Sequence, residues 1–361
     1  MENNSCCQIA FFSQNLSELP TGSKDMSSKS FSLFLETISY IIIPFCASGI
    51  FGNILVVITY SKMGFSDSIN ISYSALAITD ILGLLFLTWT AICFIPALSN
   101  SDIPLVANHL VNPTGGAIYD IFNGIAAWVT AYISLERCLC VVFPLKIKII
   151  VTRKKTLFVI LTIYAFIGVP LLCANFLLHQ FESIFDPERN RTVVTVKYHH
   201  DSVGNALYSF VYFYKFAISN LTSLVIILIC SSVLAIHLRR SASFRLKASA
   251  QPTNQMGSSL SCDHRTRRKY LSDMRVSKIV LTIASVSILL GCLNATRTLT
   301  AVLWPDFRPT RDYSDIFRFV SKLISLLYLV NTNVNLFIYY KMGTKFRRTL
   351  RQILRFDLLT G

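Results

Sequence analysis

Charged and amide side chains embedded in apolar sequence are where this chain can do chemistry. Glu136 and Arg137 are adjacent at the end of one apolar run, and Asp80 sits inside another, in Leu76-Ala77-Ile78-Thr79-Asp80. A carboxylate beside a guanidinium holds it as an ion pair and releases it when neutralised or displaced, which is how a switch behaves. A lone aspartate in apolar surroundings needs hydrogen-bond donors, and the amides of Asn53, Asn331 and Asn335 are of the right type. Tyr339 follows one helical turn after Asn335. In a second set, Lys215, Arg297, Arg318 and Lys322 stand against the single carboxylate of Asp120. That balance suits a carboxylate, a phosphate, or a zwitterion with its amine on Asp120. Two plainer explanations stay open: interhelical hydrogen bonding for the first set, and lysines and Arg318 reaching out to lipid headgroups for the second.

Catalysis has no comparable constellation. His109, His179, His199, His200, His237 and His264 lie at the edges of apolar runs or between them, with no nucleophile placed beside a base. No CxxC or His/Cys spacing marks a metal centre, and His199-His200 reads as a solvated loop pair. The chain is therefore expected to be no enzyme and to carry no cofactor.

Buried charges of this kind require elements that cross a bilayer, and the composition supplies them. The 361 residues are 53% hydrophobic and only 15% charged, with a mean hydropathy of +0.52. That excludes a soluble, disordered or fibrous chain. Stretches of about 20 apolar residues, enough to cross the hydrocarbon core, occur near 34–61, 70–97, 109–141, 154–178, 205–238, 272–303 and 314–340. Past the last of them, Phe346, Leu350, Ile353 and Leu354 alternate with Lys345, Arg347, Arg348 and Arg351 at helical spacing, as in a helix lying along a membrane surface. The expected fold is all-α: a seven-transmembrane helix bundle over 34–340, an extracellular N-terminal segment over 1–33, and a short amphipathic eighth helix with its tail over 341–361.

Charge gives the orientation. Lys and Arg total 34 against 19 Asp and Glu, a net charge of +15. The basic residues crowd into 143–155, 237–278 and 341–361, which the positive-inside rule places in the cytoplasm, leaving the N-terminus extracellular. Basic residues so placed serve orientation and contact with anionic lipid, so no nucleic-acid partner is expected. Residues 1–30 lack a basic start followed by an apolar run, and the first span is expected to act as its own insertion signal. Glycosylation sequons at Asn3, Asn15 and Asn190 fall on segments assigned to the outside. Most of the ten cysteines lie in apolar runs, where thiols serve as packing groups; Cys6 and Cys7 are extracellular and adjacent.

The order of these residues resembles the rhodopsin-like (class A) G-protein-coupled receptors. The resemblance rests on Gly52-Asn53, Leu76-Ala77-x-x-Asp80, Glu136-Arg137-Cys138 followed by Pro144, Asn335-Leu336-x-x-Tyr339 and Lys345-Phe346-Arg347-Arg348, and it covers roughly 34–355. Among such receptors the chain is similar to divergent invertebrate ones, such as molluscan chemosensory receptors or FMRFamide-like neuropeptide receptors. The departures are specific. Leu336 replaces the seventh-helix proline, Cys138 the aromatic of the acidic-Arg triplet, and Cys292-Leu293-Asn294-Ala295 the sixth-helix Cys-Trp-x-Pro pattern. Without those prolines the sixth and seventh spans are expected to run straight. The family's disulfide is missing at both ends: Asn112 stands at the third-helix position, and 179–204 has no cysteine.

The resemblance implies a plasma-membrane receptor that passes binding of an extracellular ligand to a heterotrimeric G protein, with arrestin and a receptor kinase as later partners. It makes Glu136, Arg137, Asn335 and Tyr339 the activation switch, and Asn53, Asp80 and Asn331 a polar core. A sodium ion at Asp80 with Asn331 and Asn335 is also implied, although Ala126 stands where the family has a serine. Ligand candidates are Tyr119, Asp120, Lys215, Asn294, Arg297 and Lys322. Family amine receptors have an aspartate where this chain has Tyr119, and Asp120, one residue on, should be turned about 100° away. Leu329, at the retinal-linking position of opsins, argues against a pigment. A small anion or zwitterion is the expected ligand, a peptide the alternative, and a membrane transporter the alternative of a different class. The segment 239–271 reads as a flexible basic linker whose serines suit kinases.

Overall fold

The computed structural model describes residues 21–99, 103–104, 106–143, 146–187, 190–198, 201–249, 260–308 and 313–359. The sequons at Asn3 and Asn15, Cys6 and Cys7, Pro144, and His199-His200 lie outside them. The spanning helices are α1 (Thr21–Met63), α2 (Ser68–Ile92), α3 (Ala107–Val111, Asn112–Gly116 and Ala117–Val142 in succession), α4 (Arg153–Ile163, Tyr164–Gly168, Val169–Leu178), α5 (Ser202–Tyr214, Lys215–Thr222, Ser223–Ser249), α6 (Leu260–Leu303) and α7 (Ser314–Met342); α8 (Thr344–Leu359) follows. All seven of α1–α7 contain segments long and apolar enough to cross a membrane. Large apolar side chains such as Phe51, Phe158, Phe176 and Phe337 point outward, as they do where the solvent is hydrocarbon.

Local chemistry sets the ends. Gly64, at φ +86°, turns the chain after α1, and the Asn70 amide donates to its carbonyl at 2.8 Å. Thr152 and Asp201 cap α4 and α5 by accepting from the amides of Lys155 (3.5 Å) and Gly204 (3.0 Å). The second span stops at Ile92 rather than near 97, because Pro96 has no N–H to extend the helix and instead opens a short turn, Pro96–Ser99.

The middle pieces of α3, α4 and α5 are π-helical, and in each a carbonyl is taken up by a neighbouring helix. Asn175 of α4 donates to the Pro113 carbonyl at 2.9 Å, Tyr214 of α5 to Phe166 at 2.6 Å, and Trp128 of α3 to Ile218 at 3.0 Å. Phe166 stands four residues before Pro170, whose missing N–H leaves that carbonyl without its usual partner. These three bonds link α3, α4 and α5 in a ring. By contrast α6 and α7, without proline, run as uninterrupted α-helices.

Central in the bundle, α3 packs against α2, α4, α5 and α6. Ile125, Val129, Ile133, Ile167, Leu234 and Ile283 form the core between them, joined by Val56 of α1. Gly124 permits the α3–α5 approach, since a methyl group there would collide with the Ser219 hydroxyl. The faces of Phe346, Leu350 and Ile353 on α8 are buried against the bundle, whereas Leu354 is exposed.

One element goes beyond the sequence reading, and one expectation needs correction. The segment after α4 holds an antiparallel hairpin, β1 (His179–Asp186) and β2 (Arg191–Tyr198), with His179 opposite Tyr198 and Asp186 opposite Arg191. Its turn contains exposed Asn190 in the left-handed region at φ 48°, which asparagine tolerates. Val194 pairs with the chain before α3, donating to Pro104 at 2.9 Å and accepting from Val106 at 3.0 Å; Thr195 meets His109 at 2.7 Å. Cys46, Cys93, Cys138, Cys173, Cys230 and Cys292 form no disulfide, and these contacts tie the hairpin to α3 without one. Within the basic segment 239–271 the described residues, 239–249 and 260–271, are helical, because α5 continues to Ser249 and α6 begins at Leu260. No glycine or proline interrupts 239–249, so nothing stops the helix there.

Candidate functional site

At the hairpin end, α1–α7 surround a cavity of about 690 Å³. Two of its walls come from the π-helical turns. Lys215 is the first residue of the π segment in α5, and Asn220 lies within the same segment. From α3, Asp120 projects between α5 and α6, where its Oδ2 accepts from Lys215 Nζ at 3.3 Å and from Arg297 Nη2 at 3.1 Å. Arg297 is only 6% exposed, and each of its three nitrogens donates a hydrogen bond. Nε and Nη2 reach Asn294 Oδ1 at 3.2 and 2.8 Å, and Nη1 reaches Ser321 of α7 at 3.0 Å. The Phe317 ring lies beneath its guanidinium at 5.4 Å. The Asn294 amide continues the network to Asn220 at 3.0 Å, and Asn220 to Thr298 at 3.2 Å. One carboxylate and one guanidinium thus join α3, α5, α6 and α7.

The cluster bears on three sequence-based expectations. Asp120 faces the cavity, as a ligand candidate must, and Tyr119 and Ile121 on either side of it line the same space. Tyr119 is buried on the side of α1, α2 and α7, among Ile42, Leu84 and Leu329. Lys215 does not extend toward headgroups, since Asp120 holds it inside. Arg318, by contrast, is half exposed and pairs with Asp315 at 3.4 Å on the mouth. Lys322 is 9% exposed and lines the cavity with its ammonium 4.9 Å from the Phe94 ring. His179 borders the same space, and its Nδ1 donates to the Asn175 carbonyl at 2.7 Å. Burial lowers the pKa of this imidazole, against the opposing pull of that bond.

At the opposite end, Glu136 is 1% exposed. Its nearest contacts are not with Arg137 but with α2: Ser68 and Ser72 both donate to it, the latter at 3.2 Å. Arg137 Nη2 stands at 3.7 Å, and its Nε is buried without a hydrogen-bond partner. The Tyr339 ring lies tilted against Tyr73 at 4.9 Å, 5.7 Å from Tyr60 and 5.8 Å from Phe346, so in this arrangement it belongs to an aromatic cluster. The buried Tyr73 hydroxyl likewise lacks a hydrogen-bond partner.

Between the two ends, Asn335 donates to Asp80 at 3.1 Å. Asn53 does not, because its amide is spent on the Gly49 carbonyl of its own helix at 2.8 Å. Asn331 lines a cavity of about 40 Å³ beside Asp80 without bonding to it. Ser68, Ser72, Asn220 and Ser321 escaped the sequence reading. Ser68 and Ser72 share one face of α2 at i, i+4 spacing, a signal that was present; the other two depend on which helices pack together.

A sequence-family model described as Serpentine type 7TM GPCR chemoreceptor Srw matches residues 37–357. No curated protein matches the chain.

Proposed function

On the premise that the chain belongs to the Srw family of serpentine chemoreceptors, and so is a multi-pass G-protein-coupled receptor and not an enzyme or a transporter, we propose that it senses a small anionic or zwitterionic compound in the cavity at the hairpin end. The observation that carries this reading is the Asp120–Lys215–Arg297 cluster on that cavity's wall. A volume of about 690 Å³ falls in the range of small-molecule sites and favours such a ligand over a peptide. The hairpin end faces the outside of the plasma membrane, in keeping with the basic residues at the other end and with exposed Asn190 as a glycosylation acceptor. Placement near rhodopsin-like receptors of molluscan chemosensory or FMRFamide-like type rests on the Glu136-Arg137 and Asn335-to-Tyr339 patterns.

In this reading the resting state is the one described. Asp120 holds α5 and α6 to α3, and a ligand that draws on the cations at this junction favours an arrangement in which those helices part. At the other end Arg137, held only at 3.7 Å by Glu136, leaves it and meets Tyr339 and the G protein. Buried donors and acceptors without partners are costly, and Arg137 Nε and Tyr73 Oη gain partners by such a move. A sodium ion fits beside Asp80: the carboxylate and the unpartnered Asn335 Oδ1 offer oxygens next to the 40 Å³ cavity, and the ion would supply countercharge there. Serines of 239–271 are the sites for a receptor kinase and arrestin.

The test is G-protein nucleotide exchange in membranes of cells expressing the chain, scanned across carboxylates, amino acids, amines and amidated peptides. A dose-dependent response to a small anion or zwitterion, lost in Arg297→Ala at equal surface level, is expected. A response confined to peptides or simple amines would overturn the ligand class.

A further inference from the structure

Lys215 and Arg297 are already neutralised in part by Asp120, and Arg297 has further partners in Asn294 and Ser321. Lys322 is different. It is equally buried and lines the same cavity, yet none of the carboxylates there, Glu36, Asp120 or Asp315, forms an ion pair with it among the described residues. Its neighbour is the face of Phe94 at 4.9 Å, which stabilises a cation without cancelling its charge. An ammonium removed from water without an anion is costly, so this position gains most from a ligand that brings a negative charge.

We infer that Lys322 is the anchor of the ligand's anionic group, and that the ligand is a monocarboxylate with an apolar body. This rests on the cavity being the receptor's ligand site. One uncompensated ammonium calls for one negative charge, which selects a carboxylate over a phosphate dianion. Leu35, Leu87, Ile121 and Leu171 on the surrounding walls receive an aliphatic or aromatic body. Ser321, next in sequence to Lys322, bonds Arg297 at 3.0 Å, so a ligand drawn to Lys322 acts beside the junction of α3, α5, α6 and α7. Arg297 and Lys215 then sense the ligand through Asp120, and Lys322 binds it.

The experiment is thermal melting of the full-length receptor in lipid nanodiscs, titrated with acetate, butyrate, hexanoate, octanoate and benzoate, and with hexanamide and benzamide as uncharged matches. At least one carboxylate, and neither amide, is expected to raise the melting temperature saturably. Lys322→Met weakens that effect by about thirtyfold or more, the loss of a buried charge pair, while Lys322→Arg keeps it within a few-fold. Both variants are to match or exceed the ligand-free melting temperature of the wild type. Should Lys322→Met fail to fold, slower acetic anhydride labelling of Lys322 in the wild type with the active carboxylate bound gives the same reading. No stabilisation by any carboxylate, equal stabilisation by the amide, or an unchanged half-saturation in Lys322→Met would overturn the anchor. Melting needs no G protein, so the two readings fail separately. Carboxylate binding that never drives nucleotide exchange keeps the anchor and rejects the signalling reading. Exchange driven by a ligand indifferent to Lys322→Met keeps the receptor and rejects the anchor.

Discussion

Asp120 and Glu136 are carboxylates on one helix, roughly 24 Å apart by the α-helical rise, and the protein satisfies them in opposite ways. Asp120 borders an open cavity and takes two full positive charges, one from α5 and one from α6. Glu136 is sealed from solvent and takes two hydroxyls from α2, with its cation at 3.7 Å. The outer carboxylate therefore binds helices together by charge, where a charged ligand can compete. The inner one is secured by neutral donors and leaves Arg137 weakly held. A strong tie at the cavity and a weak one at the G-protein end is the arrangement in which a modest ligand energy can be felt far away.

Substitutions at the two carboxylates' partners should separate these roles. The largest effect is expected from Arg137→Ala, which abolishes G-protein nucleotide exchange while leaving surface expression intact; exchange at the wild-type rate would remove Arg137 from the switch. Next is Arg297→Ala. Losing one of Asp120's two buried cations costs up to about 3–5 kcal/mol, seen as a lowered melting temperature, and Asp120→Asn should cost less in that background than it does alone, because one of its two ion pairs is already gone. Additive losses would mean that the two do not interact energetically.

Glu136→Gln should raise basal exchange about tenfold, equivalent to roughly 1.4 kcal/mol, since the neutral amide no longer attracts Arg137. Ser72→Ala is expected to do least. One hydrogen bond of about 1 kcal/mol is lost, and basal exchange rises a few-fold in the same direction. A larger change from Ser72→Ala than from Glu136→Gln would show that the α2 contact, and not the ion pair, restrains Arg137.

The spans were legible because a run of apolar residues long enough to cross a bilayer has few other uses; Gly64, Thr152 and Asp201, which set their ends, lie outside those runs and carry no such signal. The hairpin was not. Its outer strand, His179–Asp186, is exposed along most of its length, so burial imprints no alternation on the sequence. The π turns were equally hidden, and with them the inward placing of Lys215 and Asn220. Asp120, Arg297 and Lys322 were recognisable as charges in costly places. That two of them pair and the third does not depends on helix packing, which a single sequence does not encode in its spacing. Glu136 with Arg137 showed the reverse limit: adjacency suggested a tight pair, and the serines of α2 took the closer contacts.

The most direct test of the account is basal G-protein nucleotide exchange by Asp120→Asn in cell membranes, alone and with Arg137→Ala, at matched surface levels. If Asp120 holds the resting arrangement, the single variant exceeds the wild type several-fold without ligand, and the second substitution returns exchange to background. Exchange equal to wild type in Asp120→Asn would contradict the claim that the tie at the cavity governs the far end.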